Sequence, residues 1–325
     1  MTLTSVSNDP AAPTVTAVAE FDVPVRRLWN AYSDPRQLEK FWGPPTYPAK
    51  FTRHDWFPGG RSDYTMTGPG GDESRGYWEY LAIDPERSFE VRDGFSNPDG
   101  SAKTTMPSMR MVFTFAETDD GSKVSIVTHV PSAGELDSLL QMGMDEGMRQ
   151  AMCQMDAVLA DSTSFAAGNP CMAQVLNDTQ VRISRVIAGS VDQVWRAHHV
   201  PALMKTWLLG PEGWSMPVCE VANNVGDTFR NAWQHVDSDG QFGFTGELLE
   251  SQPPHRELTS ETMLGVDGPG TTNEMTLIPV DGGTLLTLVL TYPDFEMRNN
   301  ALSPEMLAGM EASYSRLESD VLAPS

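Results

Sequence analysis

The chain has 325 residues, 40% of them hydrophobic, with 44 acidic side chains against 22 basic ones and a net charge of −22. Such a surface repels phosphate backbones and anionic lipid, which argues against nucleic-acid and membrane partners. The length suits two domains, each large enough to bury its own core.

Three scattered cysteines, Cys153, Cys171 and Cys219, form neither a disulfide framework nor a CxxC metal pair, and fit a reducing cytosol. The opening MTLTSVSNDPAAPTV has no basic start and no apolar run, so no signal peptide is expected. Residues 1–13 read as a loose tail. No apolar run reaches the length of a membrane span, and a cytoplasmic location is expected.

From Thr14 to Phe21 polar and apolar residues alternate, which predicts a strand. Pro24 opens a helix whose apolar face carries Val25, Leu28, Trp29 and Tyr32. Asp34-Pro35 caps and starts a second, short helix that buries Leu38, Phe41 and Trp42 and stops at Gly43-Pro44-Pro45. Strands follow at Arg61–Met66, Gly76–Ile83, Phe89–Phe95, Met109–Phe115 and Val124–Val130, separated by turns rich in Gly, Pro and Asp. A long amphipathic helix is expected from Gly134 to Ala160, with Leu136, Leu140, Met144, Met148 and Met152 four residues apart. An antiparallel sheet with one apolar face needs a cover, and this helix is the largest element available.

Ser162 to Gln174 breaks the periodicity, and then the pattern restarts. Trp29 corresponds to Trp195 and Pro35 to Pro201, each 166 positions on. Ser62, Tyr64 and Met66 correspond to Phe229, Asn231 and Trp233, and Glu79 to Glu247. Met144, Met148, Met152, Met155 and Leu159 correspond to Met306, Met310, Tyr314, Leu317 and Val321, each 162 on. The chain is therefore read as a duplicated α+β domain, 14–161 and 178–325, joined by a linker at 162–177.

The run Phe41-Trp42-Gly43-Pro44, its looser copy Thr206 to Pro211, the Pro85-Glu86-Arg87 turn and the terminal GMDEGMRQAM resemble the family named for homologues of the activator of the heat-shock-protein-90 ATPase. That family lies in the START-like, or SRPBCC, superfamily. The resemblance implies two tandem helix-grip (Bet v-like) domains, each a curved antiparallel sheet wrapped around a long C-terminal helix, with a cavity between them. In such proteins a Trp often follows the second Gly of the terminal helix. Here Met148 and Met310 stand there, which implies an altered cavity.

No G-x-S-x-G, G-x-G-x-x-G, P-loop or H-E-x-x-H occurs, and no cofactor or metal is expected. His198-His199 are neighbours on a helix, point apart and make a poor chelate. Methionine adapts to varied apolar shapes, so a Met-rich helix face suits a pliable pocket, although core packing also uses such residues. The ligand-contact candidates in the first copy are Trp42, Trp56, Tyr64, Trp78, Met111, Met144, Met148 and Met152. In the second they are Trp207, Trp214, Trp233, Phe244, Met306, Met310 and Tyr314. Glu79, His129, His235 and Glu247 are the acid–base candidates, useful only if their strands turn them inward. The expected function is binding of a small apolar or aromatic molecule. Two alternatives are a polyketide aromatase/cyclase-like enzyme and a chaperone-associated protein-binding module.

Overall fold

The computed structural model describes residues 2–9 and 11–323. They form two compact units, one ending at Phe165 and the other beginning at Ala166. Each contains an antiparallel eight-stranded sheet packed by helices.

The first unit runs β1 (Thr2–Asp9), β2 (Thr14–Phe21), α1 (Val25–Ser33), α2 (Pro35–Leu38), β3 (Ala49–His54), β4 (Arg61–Thr67), β5 (Glu73–Asp84), β6 (Ser88–Phe95), β7 (Met109–Thr118), β8 (Gly121–His129), α3 (Ala133–Gln141), α4 (Met144–Cys153) and α5 (Met155–Ala160). The sheet order is β1-β2-β8-β7-β6-β5-β4-β3. The two helices after β2 therefore carry the chain to the far edge, and a meander brings it back until β8 pairs with β2. Alternation then gives each strand one buried face: Val15, Ala17 and Ala19 on β2, Met111, Phe113 and Phe115 on β7, Val124 and Ile126 on β8. Trp29 and Tyr32 of α1 meet Phe115 edge-on at 5.1 and 5.4 Å. Each large side chain buried in this way stabilises the fold by roughly 1.5–3 kcal/mol.

The second unit repeats the plan: β9 (Met172–Val175), β10 (Gln180–Ile187), α6 (Val191–His199), α7 (Pro201–Trp207), β11 (Trp214–Glu220), β12 (Thr228–His235), β13 (Gln241–Gln252), β14 (Arg256–Met263), β15 (Thr271–Val280), β16 (Gly283–Thr291), α8 (Phe295–Ala301) and α9 (Pro304–Arg316). Wider π-helical turns extend α9 through Leu317–Leu322. Read from its other edge, the sheet order β9-β10-β16-β15-β14-β13-β12-β11 is that of the first unit. The irregularities also repeat. The register slips between Tyr80 and Ala82 of β5 and between Leu248 and Glu250 of β13, so the longest strand of each sheet bends at the same place.

Several elements differ from the sequence expectation. Within the expected 1–13 tail, Thr2–Asp9 is a strand paired along β2, because that edge offers a full row of backbone partners. Within the expected linker, Met172–Val175 adds to β10 in the equivalent place. The edge strands β3 and β11 lie in stretches whose Pro and charged residues hid the alternation. The long helix expected over Gly134–Ala160 is broken at Gly143, whose φ of +85° suits a residue without Cβ. A second helix break, at Leu302, lets Ser303 cap α9 through the Met306 N–H at 3.2 Å, with Pro304 in the first turn.

Asp34 caps α2 as expected, accepting the Arg36 N–H at 2.9 Å. It also holds Arg36 Nη2 at 2.8 Å and Gln37 Nε2 at 3.1 Å, all buried. Burial pushes the Asp34 carboxyl up, but the Arg36 guanidinium, helped by Gln37 and the Arg36 N–H, holds it below the ordinary carboxylate range. Its contribution is thus fully present above a pH of about 4 and is lost as pH falls through the depressed folded value. Asp34→Ala should destabilise the first unit by about 3–5 kcal/mol at pH 7, since it strands a buried guanidinium. In urea denaturation of the full chain, the gap to wild type should narrow below pH about 4.

Candidate functional site

In the first unit a cavity of about 220 Å³ opens between the sheet and the helices. α4 supplies Met144, Met148 and Met152, the sheet supplies Met66, Met109 and Met111, and Tyr32, Phe41 and Trp42 close one side. One acid lines this apolar space, Asp93 of β6. The alternation Phe89, Val91, Asp93 turns it inward. Its Oδ1 accepts the Trp78 indole N–H at 2.9 Å and the Tyr64 hydroxyl at 3.1 Å. Burial pushes Asp93 up to about 7, against the opposing pull of those two donors. Near neutrality it exchanges a proton readily, which is the condition for acid–base work.

The second unit has a cavity of about 510 Å³ in the corresponding place. Trp207, Trp233, Phe242 and Phe244 wall it, and Met306, Met310 and Tyr314 of α9 cover it. The indole N–H groups are already used: Trp207 donates to the Ala197 carbonyl at 3.1 Å and Trp233 to the Leu208 carbonyl at 2.6 Å. Their rings are therefore left as apolar wall. The lining also holds His198, Glu257, Thr259, Glu261 and Asn273. A smaller space of about 120 Å³ shares His198, Glu257 and Thr259 with it.

The two histidines of α6 play different parts. His198 Nδ1 lies 2.8 Å from the Val194 carbonyl, so Nδ1 carries the proton and Nε2 the lone pair. That Nε2 is buried and has no hydrogen-bond partner. Burial pushes the His198 imidazole down to about 4, so it is neutral at pH 7. His199 Nδ1 likewise donates to the Trp195 carbonyl at 2.8 Å, while Nε2 sits 2.9 Å from Glu257 Oε2. Both ring nitrogens thus need protons, which describes an imidazolium paired with a carboxylate. Burial alone would lower the His199 imidazole, but Glu257 and the Trp195 carbonyl hold it above its ordinary range. Burial pushes Glu261 up, with Asn273 pulling the other way.

Strand registers explain why one cavity is larger and more polar. Tyr64 faces Phe51 and Gly76 across β4, and Asn231 faces Cys219 and Phe244 across β12. Trp78 faces Ser62, and Gly246 faces Phe229. So Phe51, Tyr64 and Trp78 of the first unit are answered by Cys219, Asn231 and Gly246. The latter set leaves space that the rings fill. Counting along β6 and β14 from their first residues, Phe89, Val91 and Asp93 are answered by Glu257, Thr259 and Glu261. Tyr32 is answered by His198 at the same spacing as Trp29 and Trp195. The first unit also plugs the end where the smaller space lies. His54 Nε2 donates to the Ser33 carbonyl at 3.0 Å, leaving Nδ1 to accept from Ser62 Oγ at 2.9 Å, and Ser62 accepts from Tyr80 Oη at 2.8 Å. Phe229 and Leu248 stand in place of Ser62 and Tyr80.

Of the residues expected from sequence, Trp42, Tyr64, Met111, Met144, Met148 and Met152 line the first cavity. Trp207, Trp233, Phe244, Met306, Met310 and Tyr314 line the second. Trp56 and Trp78 do not. Trp56 is packed between Trp29, Tyr80 and Phe89, and Trp78 is fully buried behind Asp93. Trp214 sits against His235 and Phe242, outside the lining. None of the four acid–base candidates lines any of the three cavities. Glu79 lies between the inward Trp78 and Tyr80, so it points outward, to Arg92 at 2.5 Å. Glu247 is exposed beside the buried Leu248. His129 follows the buried Thr128 on β8 and faces outward across from Arg110, and His235 ends β12, accepting the Asp237 N–H.

Asp93, Glu257, Glu261 and Asn273 were not singled out from sequence, and His198 was weighed there only as half of a poor chelate. A signal existed for Asp93, because an acid continues the apolar face of Phe89 and Val91. Among the described residues no three His, Cys, Asp or Glu side chains gather as a metal site. No helix among them is long and apolar enough to cross a membrane.

With its folded value raised, Asp93 contributes stability that is fully present below about pH 4 and is lost as pH rises through about 7. Asp93→Asn should remove that loss, on the order of 4 kcal/mol across the window. Thermal melts of both proteins at pH 5 and pH 8.5 check it, and equal slopes would contradict it.

Comparison with known proteins places these features in a family. The model of the Activator of Hsp90 ATPase homolog 1-like protein matches residues 22–160 and again 188–321. Protein Ms6760 from Mycobacterium smegmatis is 44% identical over 50% of this chain and 99% of its own, with a TM-score of 0.47. A protein from Arthrobacter aurescens is 37% identical over 50% and 94%, TM-score 0.48. One from Rhodobacter sphaeroides is 30% identical over 46% and 97%, TM-score 0.44. No curated protein matches. Matched once in each half, the chain belongs to the Activator of Hsp90 ATPase homolog 1-like family as a tandem duplicate.

Proposed function

We propose that this protein binds a small hydrophobic or aromatic molecule between the sheet and the C-terminal helices, chiefly in its second unit. The observation that carries this reading is the cavity of about 510 Å³ under α9. Its size falls within the range of roughly 300–1,000 Å³ usual for small-molecule sites, and its walls combine rings with a few polar groups, as such sites do. The first unit's space of about 220 Å³ suits a smaller molecule and is lined largely by methionine, which adapts to the shape it meets. Transport, sequestration or protection of a reactive compound all need no more than this.

One observation favours a second reading, an enzyme of the aromatase/cyclase kind. Asp93 is held near a value of 7 inside an apolar cavity, hydrogen-bonded to Tyr64. Enolisation and dehydration require a positioned acid–base group of this sort. Recovery of a bound compound changed in mass would support that reading over simple binding.

Met148 and Met310 cover the two cavities from equivalent helix positions. Met310→Trp should fill the larger cavity and weaken uptake of a naphthalene-sized probe about tenfold or more, with stability within about 1.5 kcal/mol of wild type. Met148→Trp should leave that uptake unchanged. Native mass spectrometry of the full chain, titrated with the probe, reads both. Saturable uptake unaffected by Met310→Trp would place the ligand elsewhere.

A further inference from the structure

The larger cavity carries an unbalanced charge. Its lining includes three carboxylates, Glu257, Glu261 and Glu305, and neither Lys nor Arg. Among the described residues, the nearby cations leave Glu261 and Glu305 without an ion pair. His199 is paired with Glu257 at 2.9 Å, and Arg316 donates to the carbonyls of Gly210 at 2.5 Å and Trp207 at 3.4 Å. Glu305 is exposed, whereas Glu257 and Glu261 are half-buried on the inward face of β14. Glu257 has His199, whereas Glu261 has the Asn273 amide but neither full hydration nor a counter-charge, and a cation brought by a ligand would supply that charge.

A second, independent observation also points to a donor on the ligand. The bond from His198 Nδ1 to the Val194 carbonyl fixes the tautomer, so the buried, unpartnered Nε2 of this lining residue can only accept. A buried acceptor without a partner is destabilising, and an N–H arriving with the ligand would relieve it. The walls complete the match. The faces of Trp233, Phe244 and Tyr314 attract cations as well as apolar groups. The first unit differs: Met111 stands in place of Asn273 and Phe89 in place of Glu257, and Asp93 already has two donors.

We propose that the second unit's cavity is selective for organic amines: a protonated amino group held by Glu261, on an aromatic or alkyl body that gives a further hydrogen-bond donor to His198 Nε2. This deepens the small-molecule reading above and rests on it. Burial holds Glu261 above the ordinary carboxylate range, with Asn273 pulling the other way, and a cation beside it would lower it.

Three probes of one shape separate the possibilities: 2-(1-naphthyl)ethylamine, 2-(1-naphthyl)ethanol and 1-naphthylacetate. Each is titrated into the full chain at pH 7, by calorimetry, at low and high salt. The amine should bind about tenfold tighter than the alcohol, the carboxylate should bind weakest, and added salt should weaken the amine alone. Glu261→Gln should bring the amine to within about threefold of the alcohol while leaving the alcohol unchanged. Should that variant fail to fold, Glu305→Gln at the exposed mouth, together with the salt dependence of wild type, carries the test. Equal binding of amine and alcohol would overturn the amine selectivity and leave the hydrophobic pocket standing. Binding of none of the three would overturn both readings.

Discussion

The inner face of each sheet has to be covered, and the helices cover it only in part. An eight-stranded antiparallel sheet exposes a broad apolar face, and a bend at the same point of its longest strand turns that face into a trough. Helices spanning a trough touch its rim before they reach its floor. What lies beneath them is decided by side chains: rings that meet and fill the gap, or small residues that leave it open. The size and polarity of each cavity follow from that choice at a handful of inward positions.

Duplication lets the choice be read twice on one backbone plan. In the first unit aromatic rings interlock from Trp29 through Phe89 to Phe113, the last two stacked at 4.1 Å, and the remaining space is small and methionine-lined. In the second unit the same positions carry Trp195, Glu257 and Met275, and the space is larger and polar at its floor. Trading Phe for Glu on an inward strand position is costly unless the acid finds a partner. His199 provides one for Glu257, within hydrogen-bonding distance. The paired acid survives because it is bonded, and that bonded group then becomes part of the cavity wall.

The two units also anchor their helices differently. In the first, Arg27 reaches from α1 to the Val158 carbonyl near the end of α5 and to Gln37. In the second, Arg185 on β10, buried, holds Glu311 at 3.1 Å and Glu318 at 2.9 Å, clamping α9 and its π-helical extension to the sheet. Removing either acid would leave a buried guanidinium short of a partner, so this clamp fixes where α9 lies above the cavity. Position of the lid and shape of the floor are thus set by separate groups, and the floor can change without moving the lid.

The sequence by itself determined the fold and the duplication, because those depend on local and periodic signals. Alternation in β2, β7 and β8, the Asp34-Pro35 cap and the matched Trp29 and Trp195 are written in neighbouring residues, and the correspondence of Ser62, Tyr64 and Met66 with Phe229, Asn231 and Trp233 holds strand for strand. It also named about a third of the cavity wall, since methionines at helical spacing and aromatics on strands face one side together. Edge strands β1 and β9 were hidden, because pairing at an edge depends on the neighbouring strand's free backbone and only weakly on side chains. Only the tertiary structure decided which acids turn inward. Glu79 and Asp93 are both strand carboxylates, yet one meets Arg92 in solvent and the other faces the cavity, bonded to Trp78 and Tyr64. Facing is a matter of strand phase, a bulge can reset that phase, and the titration of Asp93, His198 and Glu261 follows from burial contributed by residues far away in the chain.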